Sequence, residues 1–456
     1  MNHRNRLMAA AVAMSFTATA YAAPSAEEVK QLGASLLPWG AEKAGNKDGT
    51  IPAYTGQIKV PASYDPKKPG VRPDPFADEK PMFSIDAKNM DKYADQLSDG
   101  VKAMLRKYQT FRLDVYPSHR TMVYPKWVQD NSIKNATSCK AVDDELALEG
   151  CFSGVPFPIP KKGIEVMWNH VVKYSAPESW TARFEAWVVD AGGNPILQGS
   201  QIAAYSSPFY NAKLTGPVPK GTDFFNYRHD STAPARKAGE KLLILESTKM
   251  GSGSTRVWQY LPGQRRVKLS PDLAYDTPNP QAGGASTMDD ARAFAGALDR
   301  FNFTLVGKRE MFIPYNTFKM QAGGSCTNKV RLKPNHLNPD CVRWELHRVW
   351  VVEAVPKKGV RHIYAKRRMY FDEDAPGAGL SDGYDATGKV HRVNMVYPYP
   401  MYEVEAQGTD MFTTYDLGTG AYVEQVSAAE TGGWHTIPRK PSTYYTADAM
   451  AADGIR

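Results

Sequence analysis

Thr181-Ala182-Arg183-Phe184-Glu185-Ala186-Trp187-Val188-Val189 is followed by Asp190-Ala191-Gly192-Gly193-Asn194, and then by Pro195 to Tyr205. Two runs carrying β-branched and aromatic residues flank a knot of Asp, Gly and Asn, which is the signature of a β-hairpin. The same pattern continues outward. Lys241 to Thr248, Thr255 to Leu261 and Arg265 to Leu269 read as strands, with Leu261-Pro262-Gly263-Gln264 predicting a type II turn between the last two. Phe301 to Phe312, Val342 to Val355, Val360 to Phe371, Gly388 to Tyr397, Met411 to Tyr415 and Ala421 to Ser427 follow, and Val355-Pro356-Lys357-Lys358-Gly359 links two of them. Upstream, Thr110 to Tyr116 and His119 to Tyr124 also read as strands. Sequential strands with short connections imply a large antiparallel sheet.

Helical patterns are few. Ile164, Met167, Trp168, Val171 and Val172 place one apolar stripe on a helix over Gly163 to Tyr174. Asn89 to Tyr108 and Met288 to Leu298 are further candidates, and Ser25 to Leu37 a shorter one. The fold expected is mainly β (α+β): one large curved antiparallel sheet forming an incomplete β-barrel, with a few helices over its concave face. No repeat at solenoid or propeller period interrupts it.

The chain of 456 residues is 42% hydrophobic and 11% aromatic, enough for a sizeable core, and its 33 Pro exclude a long coiled coil. Arg4 and Arg6, the apolar run Leu7 to Ala20, and Ala20-Tyr21-Ala22 form a secretory signal peptide over residues 1–22, too short to span a bilayer. The expected location is periplasmic and soluble after cleavage near Ala22. Losing those two Arg lowers the formal charge from +8 to +6, a mild excess that does not suggest nucleic-acid binding. Residues 23–105 read as a Pro-rich lead-in with short helices, including Pro61, Pro66, Pro69, Pro73, Pro75 and Pro81. Residues 106–456 read as a single β domain. An exported chain with four Cys reads as disulfide-bonded. Three pairings exist; the local one, Cys139 with Cys151 and Cys326 with Cys341, closes the shortest loops. Each bridge contributes about 3 kcal/mol in the chain-entropy picture. Neither pair has the close spacing of a zinc site.

Catalytic patterns fail on context. Gly379-Leu380-Ser381-Asp382-Gly383 matches the nucleophile-elbow spacing, but a turn and a strand follow where a helix is required, so it reads as a Gly-rich connection between strands. Gly251-Ser252-Gly253-Ser254 lacks the Lys-Ser or Lys-Thr and the helix of a phosphate loop. Asp372, Glu373 and Asp374, with Asp382 and Asp385 near in sequence, read as an acidic solvated turn rather than a calcium loop. Glu345 and His347 share one strand face, as a polar contact more than an acid–base pair. Lys366-Arg367-Arg368 splits between two strand faces and makes no basic patch. No catalytic residue, metal ligand or cofactor is assigned.

What is left is aromatic. Trp168, Trp187, Trp258, Tyr260, Trp344, Trp350, Tyr364 and Tyr370 are spread through the β region. They either fill the core or line an apolar cavity between sheet and helices. The cavity reading makes them the candidate ligand-binding residues.

Several runs carry a family resemblance. Ala44-Gly45-Asn46-Lys47-Asp48-Gly49-Thr50-Ile51-Pro52-Ala53 resembles the opening signature of a proteobacterial periplasmic family of unknown function, labelled outer-membrane lipoprotein-sorting-like. Gly154 to Pro160, Gly163 to Asn169, Val257 to Arg266, His347 to Glu353 and Arg361 to Arg367 match as well. Tyr54 stands where Trp is as often expected. The resemblance implies a fold similar to the lipoprotein carriers LolA and LolB, an incomplete barrel with a hydrophobic cavity. It also implies company with an inner-membrane exporter of the resistance–nodulation–division superfamily, and it attaches no catalytic residues. The function expected is a non-enzymatic carrier or accessory protein for a lipid or other hydrophobic small molecule. The alternatives are a structural or docking module of an envelope complex, and a hydrolase built on Ser381 or on Glu345 and His347.

Overall fold

In the computed structural model, described here for residues 23–454 apart from 57, 177, 178, 252, 253 and 272, strands dominate. The expected signal peptide and the middle of the Gly251–Ser254 run lie outside the described residues. The chain begins with α1 (Ala26–Lys30), β1 (Phe83–Ile85), α2 (Asp99–Lys107), β2 (Leu113–Val115) and α3 (Lys126–Ser138). A small hairpin, β3 (Lys140–Val142) and β4 (Ala147–Glu149), precedes α4 (Gly163–Val171). Next come β5 (Ser179–Val189), β6 (Pro195–Ser206), β7 (Asp223–Ala233), β8 (Lys241–Ser247), β9 (Arg256–Leu261) and β10 (Arg266–Leu269). After these come β11 (Phe301–Pro314), α5 (Asn328–Arg331), β12 (Arg343–Pro356), β13 (Lys366–Asp372), β14 (Gly379–Tyr384) and β15 (Val390–Val396). The chain finishes with β16 (Tyr399–Met401), β17 (Ala406–Gly408), β18 (Phe412–Asp416), β19 (Tyr422–Ser427), β20 (His435–Ile437) and α6 (Ala447–Gly454).

Sixteen strands form one sheet in the order β1-β2-β12-β13-β14-β15-β18-β19-β5-β6-β7-β8-β9-β10, with β11 also on β12 and β20 also on β5. The two ends of this path do not pair, so the sheet is not closed into a barrel. It is mixed rather than wholly antiparallel, because β2 runs parallel to β12. The β5–β6 hairpin forms where expected. Asp190 accepts hydrogen bonds from the Asn194 backbone and side chain, and Gly193 takes φ +85° to turn the chain.

Several expectations need correction. Asn89 to Tyr108 is two helices, a 3-10 segment Met90–Gln96 and α2, because Leu97 is extended and Ser98 caps α2 by accepting from the Val101 N–H. Met288 to Leu298 is a short 3-10 segment, Met288–Ala293, broken where Ala291 is extended and Arg292 takes φ 53°. Ser25 to Leu37 is helical over Ala26–Lys30 alone. His119 to Tyr124 and Val360 to Ala365 carry no strand. The Leu261–Gln264 turn is a 3-10 turn that places Arg265 in the left-handed region. The sequence reading omits the short strands β1, β3, β4, β16, β17 and β20, and two longer ones. Polar residues mask β7, and its glycines disguised β14 as a connection. Gly383 is needed there: a Cβ would lie 2.6 Å from the Tyr364 ring.

The main core runs from Leu37 and Trp39 to Trp434, so residues of the expected lead-in (Ile51, Ile85, Met90, Leu97, Val101) are buried with the sheet. The stripe on α4 packs against β11 and β12, with Ile164, Met167, Trp168 and Val172 buried. A second cluster, Leu243, Leu245, Tyr260, Tyr445 and Met450, sits where α6 covers the other face of β8 and β9. Both local disulfides are present, Cys139–Cys151 around the β3–β4 hairpin and Cys326–Cys341 around α5.

Candidate functional site

Strand β8 separates two environments by the simple alternation of a pleated strand. Leu243 and Leu245 face α6. Leu242, Ile244 and Glu246 face a cavity that opens to solvent. Its other walls come from Phe225 and Tyr227 on β7, Val257 on β9, Phe412 on β18 and Gln425 on β19. The irregular segment from Leu273 to Gly296 covers it. This segment is held down by buried acids: Asp290 accepts from the Tyr364 hydroxyl at 2.9 and 3.0 Å, and Asp289 from His362 at 2.8 Å. Arg367, fully buried, donates to the Ala293 carbonyl at 2.8 Å and pairs with Asp289 at 3.1 Å.

The two ends of this cavity differ. Beyond Leu242 a smaller polar hollow is lined by His229, Lys237, Lys241, Gln259 and Tyr260. There the Tyr227 hydroxyl and His229 Nδ1 are 2.5 Å apart, and burial, reinforced by Lys237, drops the His229 pKa to about 3. Beyond Glu246 lies a hollow shared by Lys173, Glu246 and Arg292. Arg292 pairs with Asp410 at 3.4 Å, and its guanidinium lies 4.4 Å from the Phe225 ring centre. Burial, with help from Arg292, lowers the Lys173 ammonium to about 7. The result is an apolar chamber with ionic groups at one end.

The eight aromatic candidates lie elsewhere. None of them borders the apolar chamber; Tyr260 borders the polar hollow and donates to the Gly454 carbonyl at 2.7 Å. Trp168 and Trp344 are fully buried core, and Trp168 Nε1 donates to the Glu145 carbonyl at 2.9 Å. Trp187 donates to Glu185 at 2.8 Å, and Trp258 packs in the cluster under α6. Trp350 carries the Lys308 ammonium 4.7 Å from its ring, and Tyr370 donates to Asp382 at 3.2 Å. The actual lining residues, Phe225, Tyr227 and Tyr275 among them, sit on β7 and the 273–296 segment. β7 is not read as a strand from the sequence, and of the segment only Met288 onward is covered by an expectation, a helix over Met288 to Leu298.

The acidic run is a larger correction. Asp372, Glu373 and Asp374 are buried, not solvated. Arg120 grips Asp374 through two hydrogen bonds of 2.7 and 2.8 Å, while Lys308 donates to Glu373 at 2.7 Å. His347 sits between Glu345, 3.1 Å from Nε2, and Asp372, 3.8 Å from Nδ1. Burial opposes the imidazolium, but Glu345 and Asp372 outweigh it and raise the His347 pKa. Burial and the neighbouring acids push Asp372 up to about 7, against the pull of His347. His347, Asp372 and Asp374 have ligand atoms within 4.8 Å of one another, the spacing a metal ion would need. Both oxygens of Asp374 already serve Arg120, so the donor set is matched to a guanidinium and fits a metal poorly.

Ser381 and His347 do not come together. Ser381 is fully buried on β14, opposite Met369, which is opposite Val352. That register places it two strands from β12 and five residues along from His347, about 16 Å of strand rise.

The profile of the family described as "Protein of unknown function (DUF1329)" matches residues 84–451. An uncharacterized protein of Pseudomonas aeruginosa is 37% identical over 453 residues, covering 98% of this chain and 97% of its own. Among solved structures, a domain named for outer membrane lipoprotein sorting, from Vibrio parahaemolyticus, aligns with 63% of this chain and 98% of its own at 14% identity and TM-score 0.43. A DUF1329 family protein from Desulfovibrio piger aligns with 61% of this chain and 93% of its own at 13% identity and TM-score 0.36. A LolA superfamily protein from Nitrosomonas europaea aligns with 63% and 99% at 10% identity and TM-score 0.35.

Proposed function

This chain belongs to the DUF1329 family, and on that premise we propose that it is a non-enzymatic periplasmic carrier, or accessory protein, that holds a lipid or other hydrophobic small molecule. The observation that carries the reading is the apolar chamber between β7–β9 and the 273–296 segment. Its walls are Phe225, Leu242, Ile244, Val257 and Phe412, the mainly apolar and aromatic lining that small-molecule sites share. Apolar surface left facing such a space is stabilised when an apolar ligand removes it from water, by about 25 cal/mol per Å². The described residues include no helix long and apolar enough to cross a membrane, which accords with a carrier that works between membranes. The exporter of the resistance–nodulation–division superfamily, implied by the sequence resemblance, is the partner we propose for the exchange of that ligand.

The test is native mass spectrometry of protein recovered from a periplasm, with the bound fraction extracted and identified. A carrier retains a stoichiometric hydrophobic molecule or, if emptied, binds an environment-sensitive apolar dye. Protein that arrives empty and takes up no dye would refute the reading.

A further inference from the structure

Glu246 is the one acid on the inner face of β8, and the cations that share its hollow, Arg292 and Lys173, stand beyond ion-pair distance of it. It is 8% exposed, and among the described residues its carboxylate accepts no hydrogen bond and forms no ion pair. Buried carboxylates are ordinarily paired, because an unpaired one loses its hydrogen bonds to water without replacement. The nearby cations are engaged elsewhere. Arg292 is held by Asp410 and lies over Phe225. Lys173 shares the adjoining hollow with Glu246 and donates to the His170 carbonyl at 3.5 Å.

The placement along the strand matters. Leu242, Ile244 and Glu246 are successive inward residues of β8, so the acid stands about 13 Å from Leu242 at the strand rise of about 3.3 Å per residue. A molecule lying along β8 meets Leu242 and Ile244 along its length and, at its end, the unpaired Glu246 carboxylate beside the Arg292–Asp410 pair. We infer that the chamber takes an amphiphile whose head group donates hydrogen bonds to Glu246, an alcohol or an amine on an apolar body, and that it discriminates against a carboxylate head. A carboxylate placed there brings a second negative charge against Glu246 with Asp410 close by, and supplies no donor. This rests on the carrier reading and names the ligand class of the same chamber.

The experiment uses the full exported chain loaded with an apolar fluorescent dye, displaced by dodecylamine, dodecanol or dodecanoate. The amine, the alcohol or both displace the dye at concentrations at least tenfold below those dodecanoate needs. Whichever of the two is stronger identifies the donor as charged or neutral. Glu246→Gln keeps a polar, similarly shaped side chain and weakens the amine relative to the alcohol. Glu246→Leu still binds dye but no longer separates the three heads. Dodecanoate displacing as well as the others, or discrimination surviving in Glu246→Leu, would overturn the inference while leaving the carrier reading intact. Failure of the dye and of all three amphiphiles to bind would overturn both.

Discussion

Glu246 and Arg120 are both charges drawn out of water, and their surroundings treat them oppositely. Glu246 has no hydrogen-bond or ion-pair partner among the described residues; burial, partly offset by Arg292 and Lys173 and aided by Asp223, raises its pKa above the usual carboxylate value. The folded state therefore keeps the Glu246 proton to higher pH than the unfolded chain does. Its burden on stability is absent below the unfolded pKa and grows as pH rises through the folded one. Glu246→Gln is expected to stabilise the empty protein by about 1–3 kcal/mol near pH 8, and by much less near pH 4, in urea unfolding followed by tryptophan fluorescence. Arg120 is the reverse case, since Asp374 takes two of its hydrogen bonds and Glu373 lies 3.6 Å away. Arg120→Ala leaves buried carboxylates uncompensated and should cost about 3–5 kcal/mol in the same assay. The Asp372–Asp374 run misled sequence reading for this reason. Acids with no visible partner read as solvated, and the partners here come from Arg120, Lys308 and Arg348, on other elements.

At the scale of elements, local chemistry was legible where it closes on itself. The Asp190–Asn194 turn, the β8 and β9 strands, the α4 stripe and the two Cys pairs need only near neighbours in sequence. Each disulfide spans a short loop, 12 and 15 residues in sequence separation, and should contribute about 3 kcal/mol. Reduction under native conditions is expected to lower the thermal midpoint, and free-thiol counting on unreduced protein to find none. α2 was misjudged because its start depends on a distant contact. Ser98 donates to Asp382 on β14 at 3.1 Å, and a Cβ on Gly100 would fall 2.1 Å from the same carboxylate oxygen. Gly100→Ala should therefore cost about 1–3 kcal/mol by overpacking, although alanine is the better helix former. A gain in the urea midpoint for that variant would contradict the packing seen between α2 and β14.

At the scale of the whole molecule, the cavity is the feature that neither residues nor elements reveal alone. It forms because β7–β9 at one end of the sheet and β18–β19 near its middle are roofed by the 273–296 segment, which Asp289 and Asp290 tie to Arg367, Tyr364 and His362. Ile244→Trp, placed on the inner face of β8, should fill part of the chamber and abolish dye binding while circular dichroism stays that of the native sheet. Dye binding unchanged in that variant would place the ligand elsewhere. The sequence by itself determined the β class, the hairpin at 181–205, the local disulfide pairs and the family, because alternation, turn residues and short loops are properties of neighbouring residues. Only the tertiary structure decided which aromatic residues face the chamber, that an acidic run is buried, and that Glu246 stands inside without an ion-pair partner. Those are matters of which distant side chain arrives opposite, and strand order across the sheet, not spacing along the chain, sets that.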